Sequence, residues 1–125
     1  MNDLNKKSLL FLFILVSFKA FAENKTNELE DILQNDEGGH CFVLANRAFS
    51  IMGLRQDGRK ISDLHNELLS VDEKYNKNEI NELIQKAYKE PINSNVMGKM
   101  VITSNFMNDI EQECMQQNPN NNGYF

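Results

Sequence analysis

Apolar residues recur at helical spacing throughout the part of the chain between its two cysteines, Cys41 and Cys114. Side chains three and four positions apart share one face of an α-helix, so each periodic run predicts a helix with one buried face. The runs predict four helices, at about His40 to Gln56, Asp63 to Ser70, Asn76 or Asn78 to Lys89, and Ser94 or Asn95 to Gln117. Because the connections are short, we expect an all-α, four-helix bundle-like domain over residues 40–117.

The fourth predicted helix is the longest, and its inward face advances by alternating steps of four and three residues. The members of that face are Val96, Met100, Thr103, Met107, Ile110 and Cys114. Four methionines lie near predicted core faces, namely Met52, Met97, Met100 and Met107. Because methionine is flexible, such residues usually fill irregular cores and only occasionally line an adaptable binding groove.

Capping and stop signals predict where the helices end. Asp57-Gly58 stops the first helix, since glycine adopts the left-handed conformation that follows a helix C-terminus. Ser62 is expected to cap the second helix, because its hydroxyl can accept a hydrogen bond from an unpaired backbone N–H. Glu90-Pro91 ends the third helix, since the residue before a proline is displaced from helical geometry.

The segments on either side of the predicted domain are polar. Residues 23–39 contain Leu29, Ile32 and Leu33 as their only apolar residues apart from glycine. This polar leader is therefore expected to be either mobile or a short helix that lies on the domain. Residues 118–125 are rich in asparagine, cannot bury a core and predict a disordered tail.

The start of the chain has the pattern of a secretory signal peptide over residues 1–22. Lys6 and Lys7 precede an apolar run from Ser8 to Phe18. Ala20 and Ala22 then supply the small residues that a signal-peptidase cleavage site requires. The apolar run is shorter than the roughly 20 residues that a membrane-spanning helix needs, although an uncleaved N-terminal anchor is the alternative. We expect cleavage after Ala22 and a periplasmic or secreted protein.

Removal of residues 1–22 makes the chain more acidic. The full sequence has 13 basic and 18 acidic residues, and the part after Ala22 has 10 and 17, a net charge near −7. A surface of this charge repels nucleic acid and anionic lipid. We therefore expect no nucleic-acid partner and no membrane association after cleavage.

Two cysteines in an exported chain most simply form a disulfide. A Cys41–Cys114 bond would hold the start of the first helix beside the end of the last, with the two helices antiparallel. It would close a loop of about 73 residues, for which the chain-entropy account gives about 4.5 kcal/mol of stabilisation. Two free thiols or an intermolecular bridge are the alternatives.

The residue types that carry chemistry form no catalytic or metal-binding pattern. The two histidines, His40 and His65, have no second ligand at metal-binding spacing. The carboxylates occur in runs typical of a solvated surface, and the sequence has neither a phosphate-binding glycine loop nor a nucleophile elbow. The sequence therefore predicts no catalytic residue, no metal, no cofactor and no enzymatic activity.

One short segment concentrates positive charge at the exit of the first helix. We name its four members, Arg55, Gln56, Arg59 and Lys60, the basic corner. On an acidic protein, the basic corner is either a contact surface for an acidic partner or a structural element in which Arg55 bonds to helix ends.

Several of these residues also form a recurring set of short motifs. The set is Cys41, Met52-x-x-Arg55-Gln56-x-Gly58, Ser62, Ala87-Tyr88-x-x-Pro91, Phe106 and Cys114. In these motifs the chain resembles a loose group of small exported bacterial and prophage proteins, over residues 41–114. The group has no established activity, so the resemblance implies export and fold but no catalytic residue. Many members have an arginine after the proline, where this chain has Ile92.

Together these features predict a small exported helical protein that binds another protein, as an inhibitor, an immunity protein or an envelope accessory protein. The alternative is an acid-stress periplasmic chaperone, whose many carboxylates would become neutral at low pH and expose apolar faces. The sequence identifies neither the partner nor an oligomeric state.

Overall fold

A computed structural model describes residues 27–119 of the chain. The predicted signal peptide, the first residues of the leader and the end of the predicted tail, residues 120–125, lie outside the described residues. Within the described part the chain forms five helices and no strand. They are α1 (Glu28–Gln34), α2 (His40–Gln56), α3 (Ile61–Leu69), α4 (Lys77–Ala87) and α5 (Val96–Gln117).

The predicted all-α fold is confirmed, and α2 to α5 begin and end within two residues of the predicted bounds. Asn76 caps α4 and Asn95 caps α5 through side-chain oxygens that accept backbone N–H groups. Gly58 follows α2 with a φ of 91°, as predicted for a glycine that ends a helix. No helix in residues 27–119 is both long enough and apolar enough to cross a membrane.

The predicted cap of the second helix is wrong. The helix α3 begins at Ile61, with Lys60 at the N-cap position and no side-chain cap hydrogen bond, so Ser62 lies inside the first turn. Ile61 packs against the core as the first residue of α3. The helix therefore starts one residue before Ser62, which then cannot occupy the N-cap position.

The leader contains a helix, which is one of the two alternatives that its sequence left open. Leu29 and Leu33 of α1 are fully buried in the core. The side-chain amide of Asn27 donates to the backbone oxygen of Glu67 at 2.9 Å, and the backbone N–H of Glu28 donates to the Glu67 carboxylate at 3.0 Å. The segment is therefore anchored to α3 by polar contacts as well as by apolar burial.

One hydrophobic core joins all five helices. Its fully or almost fully buried members include Leu29, Leu33, Ala48, Ile51, Met52, Leu64, Ile80, Leu83, Ile84, Ala87 and Ile110. Val71 and Tyr75, in the connection between α3 and α4, are buried with them. The helix α2 supplies the centre of this core, because it packs against α1, α4 and α5.

The largest helix contact in the structure is between α2 and α5. The predicted disulfide is present and joins Cys41 in the first turn of α2 to Cys114 near the end of α5, with 5.5 Å between the Cα atoms. Both cysteines are buried. At the opposite end of the pair, Gln56 of α2 contacts the residues that lead into α5, so the two helices are antiparallel.

Loss of the disulfide should destabilise the protein without changing its helical fold. The bond closes a loop of 73 residues, so the Cys41→Ala/Cys114→Ala double variant should lose about 2–5 kcal/mol of unfolding free energy. Urea unfolding of oxidised, reduced and double-variant protein measures the loss, and reductant should not affect the double variant. Equal stability of the oxidised and reduced protein would contradict this role.

The α1 helix should be an energetic part of the core. Leu29→Ala should cost about 2–5 kcal/mol of unfolding free energy, because Leu29 is fully buried. Leu69→Ala makes the same chemical change at a side chain that is 78% exposed, and should cost less than about 0.5 kcal/mol. Urea unfolding measures the free energy of unfolding of both variants. Equal losses would show that burial of Leu29 adds nothing to stability beyond what an exposed leucine adds.

Candidate functional site

The basic corner consists mostly of side chains that are engaged within the protein. The guanidinium of Arg55 lies over the ring of Tyr88, 4.9 Å from its centroid, and its Nε donates to the backbone oxygen of Glu90 at 3.0 Å. Arg55 thus fastens the end of α2 to the end of α4. The contacts of Arg55 therefore support the structural alternative, in which this residue bonds to helix ends.

Gln56 is only 2% exposed and fixes the connection between α4 and α5. Its Nε2 donates to the backbone oxygen of Pro91 at 3.0 Å, and its Oε1 accepts from the backbone N–H of Asn93 at 2.9 Å. Both ends of the side-chain amide are therefore satisfied inside the protein. The polar atoms of the Gln56 side chain are therefore committed to contacts within the protein.

Arg59 joins three elements and is half-buried. Its guanidinium forms ion pairs with Glu28 of α1, at 2.8 Å, and with Glu67 of α3. Its backbone oxygen accepts the hydroxyl of Tyr88, at 2.7 Å. Lys60 is exposed and is the one member of the basic corner whose side chain forms no hydrogen bond or ion pair within residues 27–119.

An exposed apolar surface lies beside the basic corner. Phe49 of α2 is 45% exposed, and four residues in the first two turns of α5 are exposed by 55–72%. These four are Val96, Met97, Met100 and Val101. We name the five residues the apolar face.

A groove of about 360 Å³ runs between α2 and α5 along this face. Its apolar walls are formed by Phe49 on α2 and by Val96 and Met100 on α5. Gly53 lies between them, and a Cβ atom added there would meet no atom within 4 Å. The groove is therefore open space above a helix backbone, and no side chain from α2 fills it.

The predicted inward face of α5 is correct in its second half and wrong at its start. Thr103, Ile110 and Cys114 are buried and Met107 is partly buried, whereas Val96 is 72% exposed and Met100 is 59% exposed. The helix that packs chiefly against α5 is α2, and beside Val96 and Met100 it presents Gly53, which has no side chain to cover them.

The methionines divide in the same way. Met52 is fully buried, as predicted for core filling, whereas Met97 and Met100 are 67% and 59% exposed. Exposed, flexible thioether side chains adapt their shape to different apolar partners. Met100 therefore does not fill the core, and it lines the groove directly.

The charge pattern around the groove differs from that of the rest of the chain. The helix α2 contains no acidic residue, and Lys99 is the only charged residue between Glu90 and Asp109. Lys99 lies at the edge of the groove, as does Asp57, the C-cap residue of α2. The absence of carboxylates from α2 and from residues 91–108 is the one sequence signal that could have identified the surface.

The histidines are both in polar surroundings. His40 Nε2 lies 3.3 Å from the carboxylate of Glu79, and His65 Nε2 lies 3.2 Å from the side-chain amide nitrogen of Gln85. The sulfur atom next to His40 is bonded in the disulfide, so it is not a free nucleophile. Within residues 27–119, no group of three or more His, Cys, Asp or Glu side chains is placed to hold a metal ion.

Comparison with protein-family models, with curated proteins and with solved structures finds no match to this chain. A function for this chain is therefore inferred from the surface of the molecule itself. The exposed side chains of that surface include those of the apolar face, beside its groove, and that of Lys60 in the basic corner.

Stability should fall at alkaline pH through Tyr88. Burial raises the pKa of Tyr88 above its ordinary value, while the positive charges of Arg55 and Arg59 act in the opposite direction. A tyrosine with a raised pKa in the folded state stabilises the protein below its unfolded pKa of about 10, and this stabilisation is lost as the pH rises through the folded pKa.

The Tyr88→Phe variant tests this dependence. It should be less stable than the parent at pH 8, because the hydrogen bond to the backbone oxygen of Arg59 is lost. Between pH 8 and pH 11 the parent should lose more stability than the variant, as measured by urea unfolding. Parallel pH profiles would show that Tyr88 ionisation is not linked to folding.

Proposed function

We propose that this protein is an exported protein-binding module and that its contact surface is the apolar face. The observation that carries the proposal is the exposure of four apolar residues in the first two turns of α5, together with that of Phe49 on α2. Single exposed apolar residues are ordinary, but a contiguous group around a groove is typical of an interaction site. Transfer of such surface from water to a partner supplies roughly 25 cal/mol per Å² of buried apolar area.

Gly53 gives independent support. A glycine inside a helix costs about 1 kcal/mol relative to alanine, and the space above Gly53 would accept a Cβ atom without contact. Packing within the protein therefore gives no reason for glycine at this position. A bare backbone at the base of the groove does have a use if the side chain of a partner occupies that space.

Export is the part of the proposal that the disulfide supports. Disulfides persist in oxidising compartments, and the Cys41–Cys114 bond is buried in the folded domain. With the signal-peptide pattern that ends at Ala22, this favours a periplasmic or secreted location. The group of small exported proteins that the chain resembles is consistent with the same location.

Met100→Glu should remove partner binding while the fold is retained. The substitution places a charge in the groove at a side chain that is already 59% exposed, so its folding cost should be below about 1 kcal/mol. The purified, oxidised parent and variant serve as baits for envelope and secreted extracts. A stoichiometric partner should be recovered with the parent and lost, by tenfold or more, with the variant.

Leu69→Glu is the matched control for this experiment. It adds the same charge at another exposed helical position, on α3, where Leu69 is 78% exposed. The control should recover the partner as the parent does, and circular dichroism should show the same helical content in all three proteins. Equal recovery with the Met100 variant, or no stoichiometric partner with the parent, would refute the proposed surface.

A further inference from the structure

We propose that the apolar face binds a second copy of this chain, in a two-fold symmetric pair in which each copy fills the groove of the other. This inference rests on the proposed function and names the partner at the same site. It follows from the shape of the apolar face, from the charges at the edge of its groove and from its area.

The apolar face contains both a cavity and side chains that could fill it. A two-fold interface joins the same patch of two copies, so that patch must be complementary to itself. The cavity is the groove, with the bare backbone of Gly53 at its base. Met97 and Val101 lie beside the groove on α5 without lining it, and are 67% and 55% exposed. They are four positions apart and so form a ridge on the helix, which in a pair can enter the groove of the other copy.

The edge of the groove is complementary to itself in charge. It carries one lysine, Lys99 on α5, and one carboxylate, that of Asp57 at the end of α2. A two-fold axis brings both charges of each copy to the interface, where Lys99 of one copy can pair with Asp57 of the other, twice over. An edge with two charges of one sign would bring like charges together instead.

The acidity of the chain does not oppose the pair at its centre. The part of the chain after Ala22 has a net charge near −7, but α2 and residues 91–108 contain no carboxylate. The centres of protein interfaces are depleted of charged residues and enriched in methionine and aromatic residues, which is the composition of the apolar face. Salt screens the repulsion between carboxylates farther away, over about 8 Å at physiological ionic strength.

The area of the apolar face suits a weak, specific pair. Whole residues of this size present roughly 150–250 Å², so the exposed fractions of the five members leave on the order of 600 Å² per chain. Two copies would together bury on the order of 1,200 Å², which is the lower limit for a standard specific interface. The pair should therefore form reversibly and depend on concentration.

Sedimentation equilibrium of the purified, oxidised protein at rising concentration tests for the pair. The parent should show a reversible equilibrium between monomer and dimer. Met100→Glu should raise its dissociation constant by about tenfold or more, because the pair would bury an unpaired charge in each groove. Leu69→Glu adds the same charge on α3 and should leave the dissociation constant unchanged.

An exchange of charge between two variants tests the two-fold contact at the edge. Lys99→Glu and Asp57→Lys each leave two like charges at the edge, so each variant should self-associate about three- to tenfold more weakly than the parent. When the two variants are mixed, they should pair with each other as tightly as the parent does, since both contacts again join opposite charges. Lys74→Glu changes the net charge as Lys99→Glu does, but in the connection between α3 and α4. Mixed with Asp57→Lys, this control should pair more weakly.

Three results would overturn the inference. They are a monomer at every concentration, self-association that Met100→Glu leaves unchanged, and edge variants that pair no better when mixed than alone. If the pair forms, the stoichiometric partner captured from extracts should be this chain itself. If the protein is monomeric while extract capture still depends on Met100, the second copy is refuted and the proposed function stands; if capture fails as well, both proposals fall.

Discussion

The pairing of α2 with α5 is the contact on which the rest of the structure depends. It is fixed covalently at one end by Cys41–Cys114 and by hydrogen bonds at the other end, where the Gln56 side chain bonds to the backbone at Pro91 and Asn93. Fastening at both ends limits sliding and separation of the two helices. Because α2 also packs against α1 and α4, it transmits this constraint to the whole core.

That constraint explains why an apolar surface can stay exposed on a stable fold. The core is complete without the first two turns of α5, since Ile110 and the residues of α2 and α4 close it at the other end. Collapse of Val96 and Met100 onto the domain would require α5 to tilt, which the two fastened ends oppose. The groove above Gly53 thus lies between two helices that are fastened to each other at both ends.

Local signals predict most of the fold and little of the candidate site. Helical periodicity, the stop at Gly58 and a single possible disulfide were sufficient for the helices and the bridge. Periodicity identifies an apolar face but not whether another element covers it, so Val96 and Met100 were assigned to the core. Likewise Gln56 has the sequence context of a surface residue, but its partner at Asn93 is 37 positions away and appears only when the chain is folded.

The basic corner and the apolar face differ in how far their side chains are engaged within the protein. Arg59 neutralises Glu28 and Glu67, and so ties the acidic α1 to α3, while Arg55 ties α2 to the end of α4. These contacts fix the ends of α1, α2, α3 and α4 relative to one another, and they leave the α2–α5 groove with one lysine, Lys99, and one carboxylate, Asp57, at its edge. The basic corner therefore contributes to the fold, whereas the apolar face stays exposed to solvent.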